Sequence, residues 1–353
     1  MKKLLKKIKK PKLLKSKNQE IDSKIADSVK ITNDTVAEHR EEVLSSARKY
    51  IYPLQHSKHK IVLITTSLFI AAIVGFFSFT VISLYRLKSY SSFLYGVTQV
   101  IPFPIARAGG DFVAYENYLF ELKHYIHYYQ NQQKLDFKTE SGKQQLEEFK
   151  KRALEKVVND AYIKQLAKEN KVTVSDKEVD NEILVVRTQN RLGGSDKVFE
   201  DVLKEYWGWS VNDFKRSLKQ ELTARKLLPV LDTETVAKAN TAKAELNAGA
   251  DFAATAKKYS DDASSKDNGG EFGYPIDKAN RDIAAQTTAV LFKLQPGQVS
   301  DVINAGYSLE IVKNIELQGE KIRAAHIVNN FKDIKTYLDD MKDQKKASLY
   351  IKL

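Results

Sequence analysis

Six histidines and no cysteine bound the reactive chemistry open to this chain of 353 residues. Without cysteine there is no thiol nucleophile, no thiolate metal site and no disulfide staple. His124 and His127 stand three apart on an expected helix with Glu116 and Glu121 nearby, a spacing that invites a metal. No second His or Cys cluster completes a ligand set, so packing is the expected role and no metal is expected. Neither a Gly-x-Ser-x-Gly element, a Walker A loop nor a dinucleotide fingerprint occurs. His39, His56 and His59 fall in the first sixty residues. What remains is His326 and the polar stretch Tyr259-Ser-Asp-Asp262-Ala-Ser-Ser-Lys-Asp-Asn-Gly269-Gly270-Glu-Phe-Gly273, whose glycines suit a tight turn.

That stretch has ordered company. Asn247-Ala-Gly249-Ala-Asp251-Phe252 precedes it, and Leu291-Phe292-Lys-Leu294-Gln-Pro-Gly297-Gln-Val-Ser300 follows. The set resembles the parvulin-type peptidyl-prolyl isomerases over roughly residues 235–317. The resemblance implies prolyl isomerisation, rotation about a C–N bond over a barrier near 18–20 kcal/mol. Such a reaction needs no nucleophile or cofactor, only a proline pocket and groups that favour the twisted amide.

In parvulins two histidines and an Asp or Cys surround the amide. By the resemblance, Asp262 takes the Asp/Cys position, and Ser308, after Gly306-Tyr307, stands where one histidine is usual. The other histidine normally opens the domain in a strand, yet Lys226–Asp232 offers none. Ile322-Arg-Ala-Ala-His326-Ile-Val328 resembles that strand and follows the domain instead. The residues up to Leu353 are too few for a second unit. The expectation is a permuted strand, delivered by a hairpin from Tyr307–Leu317 through Gln318-Gly319-Glu320, with a simple extra hairpin as the alternative. Catalysis at Asp262 competes with a turn-forming role, and at His326 with a satisfied strand histidine. The proline pocket maps onto Ile283, Thr287, Leu291 and Phe292, Thr287 making a poorer apolar wall than phenylalanine.

Positioning these groups falls to helices upstream. Residues 105–232 are expected to be mainly helical. Phe112, Tyr115, Leu119 and Leu122 open one helix, and Leu146, Phe149, Ala153, Val157, Ala161 and Ile163 line another. Ser175-Asp-Lys-Glu178 reads as a capping box, Leu192-Gly193-Gly194 as a break, and Ser210 with Asp213 as the next start. Val172-Thr-Val174-Ser175, the Gly-Gly break and Tyr206-Trp-Gly-Trp209-Ser210 in this order resemble the chaperone segment of SurA/PrsA-type extracytoplasmic foldases.

Ile61 to Tyr85 carries no charge and is long enough to cross a bilayer as a helix. Residues 1–60 hold 16 Lys+Arg against 7 Asp+Glu, a net of +9 out of the chain's +12. The positive-inside rule puts this basic tail in the cytoplasm and the rest outside. Met1–Lys17 reads as a solvated tail or a polybasic patch for anionic lipid. Ile21, Ile25 and Val29 and the box Thr35-Val-Ala-Glu38 suggest short helices. The charge is a property of the tail, so no specific nucleic acid partner is expected.

The expected organisation is α+β: a tail (1–60), a transmembrane helix (61–85), an extended linker at Pro102 and Pro104 (86–104), and a helical chaperone-like domain (105–232). A parvulin-like antiparallel sheet with flanking helices follows (233–330), then a C-terminal helix and strand (331–353) packed on that sheet. Expected partners are extended, proline-bearing exported polypeptides and membrane lipid; no cofactor is expected. Three functions stay open: a catalytic foldase, a non-catalytic chaperone with a degenerate isomerase domain, and an envelope scaffold.

Overall fold

The computed structural model describes residues 32–51, 53–189, 192 and 195–353. Met1–Lys17, the Ile21/Ile25/Val29 repeat and Gly193-Gly194 lie outside the described residues. The chain falls into two units, Met1–Phe79 and Thr80–Leu353.

In the first unit, helix α1 (Asn33–Ile51) begins two residues before the expected box. Its cap is Thr32, whose hydroxyl lies 3.3 Å from the Thr35 amide, while Thr35 Oγ1 accepts from the Thr32 amide at 3.0 Å. Threonine thus takes the reciprocal role expected of Glu38. Helix α2 (Pro53–Val81) carries the uncharged run, and the stretch His59–Arg86, 28 residues, is long and apolar enough to cross a membrane.

The second unit departs from expectation at its start. A π-type turn at Ile82–Arg86 leads to helix α3 (Ser92–Val100), where an extended linker was expected. Ser91 Oγ accepts from the Leu94 amide at 3.3 Å, and the prolines take effect only beyond Ile101. Strands β1 (Pro104–Ala108) and β2 (Asp111–Ala114) then form a hairpin where helix was expected. Ala108-Gly109-Gly110-Asp111 is a two-residue loop signal that overrides the helical spacing of Phe112. Phe112 lies in β2, and helix α4 (Tyr115–Asn131) starts after it.

Helix α5 (Glu140–Glu169) packs Phe149, Ala153, Val157 and Tyr162 against Tyr115, Tyr118 and Leu119 of α4 in the main core. Helices α6 (Asp176–Gln189), α7 (Asp196–Trp207) and α8 (Val211–Leu231) carry a separate cluster around Val179, Ile183, Phe199, Leu203 and Leu218. The expected Ser175–Glu178 and Ser210–Asp213 boxes both form.

Beyond the buried cap Asp232 come helices α9 (Thr233–Asn247), α10 (Phe252–Tyr259) and α11 (Ala285–Leu291). Strands β3 (Ile303–Asn304), β4 (Ser308–Gln318) and β5 (Lys321–Asn330) form an antiparallel sheet in that order. The β4–β5 hairpin closes at Gln318↔Lys321 and pairs Val312 with His326, as the permuted arrangement requires. Ile311, Ala325 and Ile327 face Phe252 and Ala256 on one side. Val312, Ile322 and Ala324 face Ile276, Ile283 and Leu291 on the other.

The C-terminal segment goes elsewhere than expected. Strand β6 (Ser348–Leu349) pairs with β1, and Leu338 and Met341 of helix α12 (Ile334–Gln344) join the main core with Ile351. The reason is supply and demand of strand edges. The β1–β2 hairpin leaves β1 open, whereas β5 is bridged on its far side by Glu271 and Ile276.

Candidate active site

His326 sits inside β5, and the segment from Ser260 to Gly270 is pinned to that strand at both ends. At the first end, the Asp261 amide donates to Val328 O at 2.7 Å, Ser260 Oγ accepts from the Val328 amide at 3.1 Å, and Asn329 Nδ2 donates to Tyr259 O at 2.6 Å. At the other, the His326 amide donates to Gly270 O at 2.7 Å. Gly270 adopts φ +78°, and a Cβ there would lie 2.3 Å from His326 O. Only glycine permits both that backbone region and that approach.

The loop so fixed delivers Asp262. Its Oδ2 lies 2.9 Å from His326 Nε2 and accepts a short hydrogen bond from Ser265 Oγ, which itself sits 3.1 Å from Nε2. Oδ1 accepts from the Ser264 amide at 3.0 Å and its hydroxyl at 2.7 Å. Burial pushes the Asp262 carboxyl up, but the bonds from Ser265, Ser264 and His326 outweigh it and hold it well below the usual carboxylate range. A carboxylate only accepts, so the proton shared in the Asp262–His326 contact is carried by His326 Nε2. The Phe272 ring lies 4.0 Å from the imidazole, centroid to centroid. The side chains of His326 and Asp262 keep 13% and 24% of their exposure.

The remaining expected site residues lie on the same sheet face or behind it. Ile283, Thr287 and Leu291 are buried, Thr287 and Leu291 completely, and Phe292 is half-buried. Thr287 Oγ1 donates to Glu310 Oε2 at 2.8 Å, and Ser308 Oγ donates to Glu310 Oε1 at 3.2 Å. A polar knot thus occupies the expected pocket wall. Ser265, Phe272 and Glu310 were not singled out from the sequence. Each had a signal: Ser265 three residues after Asp262 in a turn, Phe272 as the apolar member of Gly-Gly-x-Phe-Gly, and Glu310 two after Ser308 on a strand, hence on its face.

His124 and His127 are held apart from this chemistry. His124 stacks on Trp209 at 4.4 Å, and His127 Nε2 lies 2.9 Å from Glu205 O. Glu116 is engaged by Arg216 and Glu121 by Lys156.

Comparison with known proteins agrees with this division of labour. Residues 55–228 match the SurA-like N-terminal domain, and residues 231–316 the PPIC-type peptidyl-prolyl isomerase domain. The chain thus joins a SurA-like N-terminal domain to a PPIC-type isomerase domain. The foldase protein PrsA of Geobacillus sp. (strain WCH70) is 32% identical over 213 residues, 52% of this chain and 72% of that protein. PrsA of Bacillus subtilis (strain 168) is 29% identical over 180 residues, 43% of this chain and 56% of that protein. A crystal structure of the PrsA peptidylprolyl isomerase from Bacillus anthracis is 24% identical, covering 55% of this chain and 85% of that one, at a TM-score of 0.18. The chain belongs to the PrsA foldase family, extracytoplasmic protein-folding factors.

Proposed function

We propose that the chain is a membrane-anchored foldase whose Asp262–His326 site turns prolyl bonds of exported polypeptides, with residues 105–232 holding those clients extended. The contact between Asp262 and His326, separated by 64 residues in sequence, carries the reading. In a planar amide the carbonyl oxygen bears extra negative charge through resonance, which twisting removes. A fixed carboxylate beside that oxygen disfavours the planar state relative to the twisted one. The protonated Nε2 anchors the carboxylate, and Phe272 with the sheet face supplies an apolar seat for the ring. The site acts by electrostatic preorganisation and needs no covalent step.

In this reading His59–Arg86 crosses the membrane with the basic tail inside, following the positive-inside rule. External protease on intact cells should remove the domains and spare the tail. Activity is tested with the full chain on a proline peptide, whose uncatalysed exchange takes tens to hundreds of seconds. A rate equal to the uncatalysed one removes the catalytic role. The Glu310 knot favours a second reading, a chaperone whose rotamase domain binds without turning over, because the expected pocket wall is polar and closed. Suppression of aggregation without isomerisation would select it.

A further inference from the structure

Helix α3 carries an uncharged face that the fold leaves uncovered. Its inner side places Leu94 in the main core with Leu84 and Tyr115. On the outer side Phe93 is 59% exposed and Val100 82%, seven residues apart and so in line along the helix. Gly96 is exposed between them, and no residue from Ser92 to Val100 is charged. Leu87, just upstream, is 68% exposed.

What covers this face follows from where the chain comes from. The stretch able to cross a membrane ends at Arg86. About 20 residues cross the hydrocarbon, so a crossing that starts near Ile61 places Val81–Arg86 among the headgroups. The folded core already begins there: Thr80, Ser83 and Leu84 are buried. Only residues 87–91 separate Arg86 from α3, a reach of at most about 18 Å. Arg86, at the end of the span, and Lys88, just after it, can donate to lipid phosphate.

We propose that α3 is a membrane-surface helix, seating Phe93 and Val100 in the lipid interface with Leu87 beside them. The occupant is the bilayer rather than a second copy: the tether keeps the face within reach of lipid at any protein concentration, and a cationic flank suits phosphate. This rests on the reading of His59–Arg86 as a membrane span.

The absence of cysteine permits a clean test in the full chain. Val100→Cys, labelled with an environment-sensitive dye, is reconstituted in vesicles of neutral and anionic phospholipid, with Glu320→Cys at the β4–β5 turn as the exposed control. Emission at position 100 should shift to shorter wavelength and be quenched by nitroxide-bearing lipid, while position 320 stays unquenched. Adding Phe93→Ser should abolish most of the quenching and leave the thermal transition in place. Release of the protein by alkaline carbonate would overturn the span and this proposal together. Retention with position 100 unquenched would overturn the proposal alone. A wavelength shift that follows protein concentration in detergent without vesicles would assign the face to a second copy instead.

Discussion

His124 and His326 both lie against aromatic rings, yet their surroundings give them opposite chemistry. His124, on α4, stacks on Trp209 just beyond the end of α7, and its Nδ1 is buried with no hydrogen-bond partner among the described residues. Burial is the largest influence on it and lowers its pKa to about 4 from 6.5, against a backbone bond at Trp207 that raises it and the nearby His127 and Lys156, which lower it further. His326 faces an ionised aspartate and a serine at the rim of a sheet. Two histidines three residues apart are engaged separately, one stacked on Trp209 and the other against Glu205 O. A histidine and an aspartate far apart in sequence meet, because strand pairing and two loop pins brought them together.

The harshest way to break the comparison is to remove β5. Ending the chain at Glu320 deletes His326 and its strand along with β6 and α12, which close the main core. The expected loss exceeds the whole stability of a typical domain, about 5–15 kcal/mol, so calorimetry should find no cooperative transition for the sheet. Persistence of the parent transition would refute the permuted strand.

Acid separates the two regions more gently. The unfolded chain protonates His124 near 6.5 and the folded chain only near 4. Its contribution is complete above pH 6.5 and falls as the pH drops toward 4, by up to about 3 kcal/mol. Asp262 works in a lower window: its folded carboxyl is depressed, so its contribution holds above the ordinary value of 3.8 and is lost only below it. Denaturant melts at pH 7, 5 and 4 should show the first loss, and His124→Phe should flatten it. A slope unchanged in that variant would exclude His124 as its source.

Gly270→Ala strikes only the His326 side. Positive φ and the collision with His326 O should lower stability by about 2 kcal/mol or more and displace the Asp262 loop. An unaltered melting curve would show that the loop gives way freely.

Smaller still is the effect of Asp262→Ala on stability, because the side chain is partly exposed. Its effect on rate should be about tenfold, near 1.4 kcal/mol of barrier. Equal rates in parent and variant would exclude the carboxylate from the mechanism. The least change is expected from Glu310→Gln, which keeps the side chain's shape and removes the charge, one hydroxyl still donating to the amide oxygen and the other accepting from the amide nitrogen. A modest gain in isomerisation would show that the anion, rather than the closed wall, restrains the site, and no gain would leave the wall responsible.

Much of this was legible along the chain because it depends on near neighbours. The Ser175 and Ser210 boxes, the Gly208 helix stop (φ +68°) and the β4–β5 hairpin with Gly319 at its turn all follow from local backbone preferences. The apolar run to Tyr85 is likewise a matter of composition and length. The Gly-Gly hairpin at Ala108–Asp111 was written there too, but helical spacing at Phe112 and Tyr115 competed with it. Tertiary structure alone decided the rest. Where β6 pairs depends on which strand edge is open, and β1 offered one while β5 did not. That Thr287 is sealed behind Glu310 depends on the register between a helix and a strand, which no local spacing records. Asp262 and His326 were recognisable as residue types, but their 2.9 Å contact exists only because Gly270 and Ser260 fasten a loop to β5.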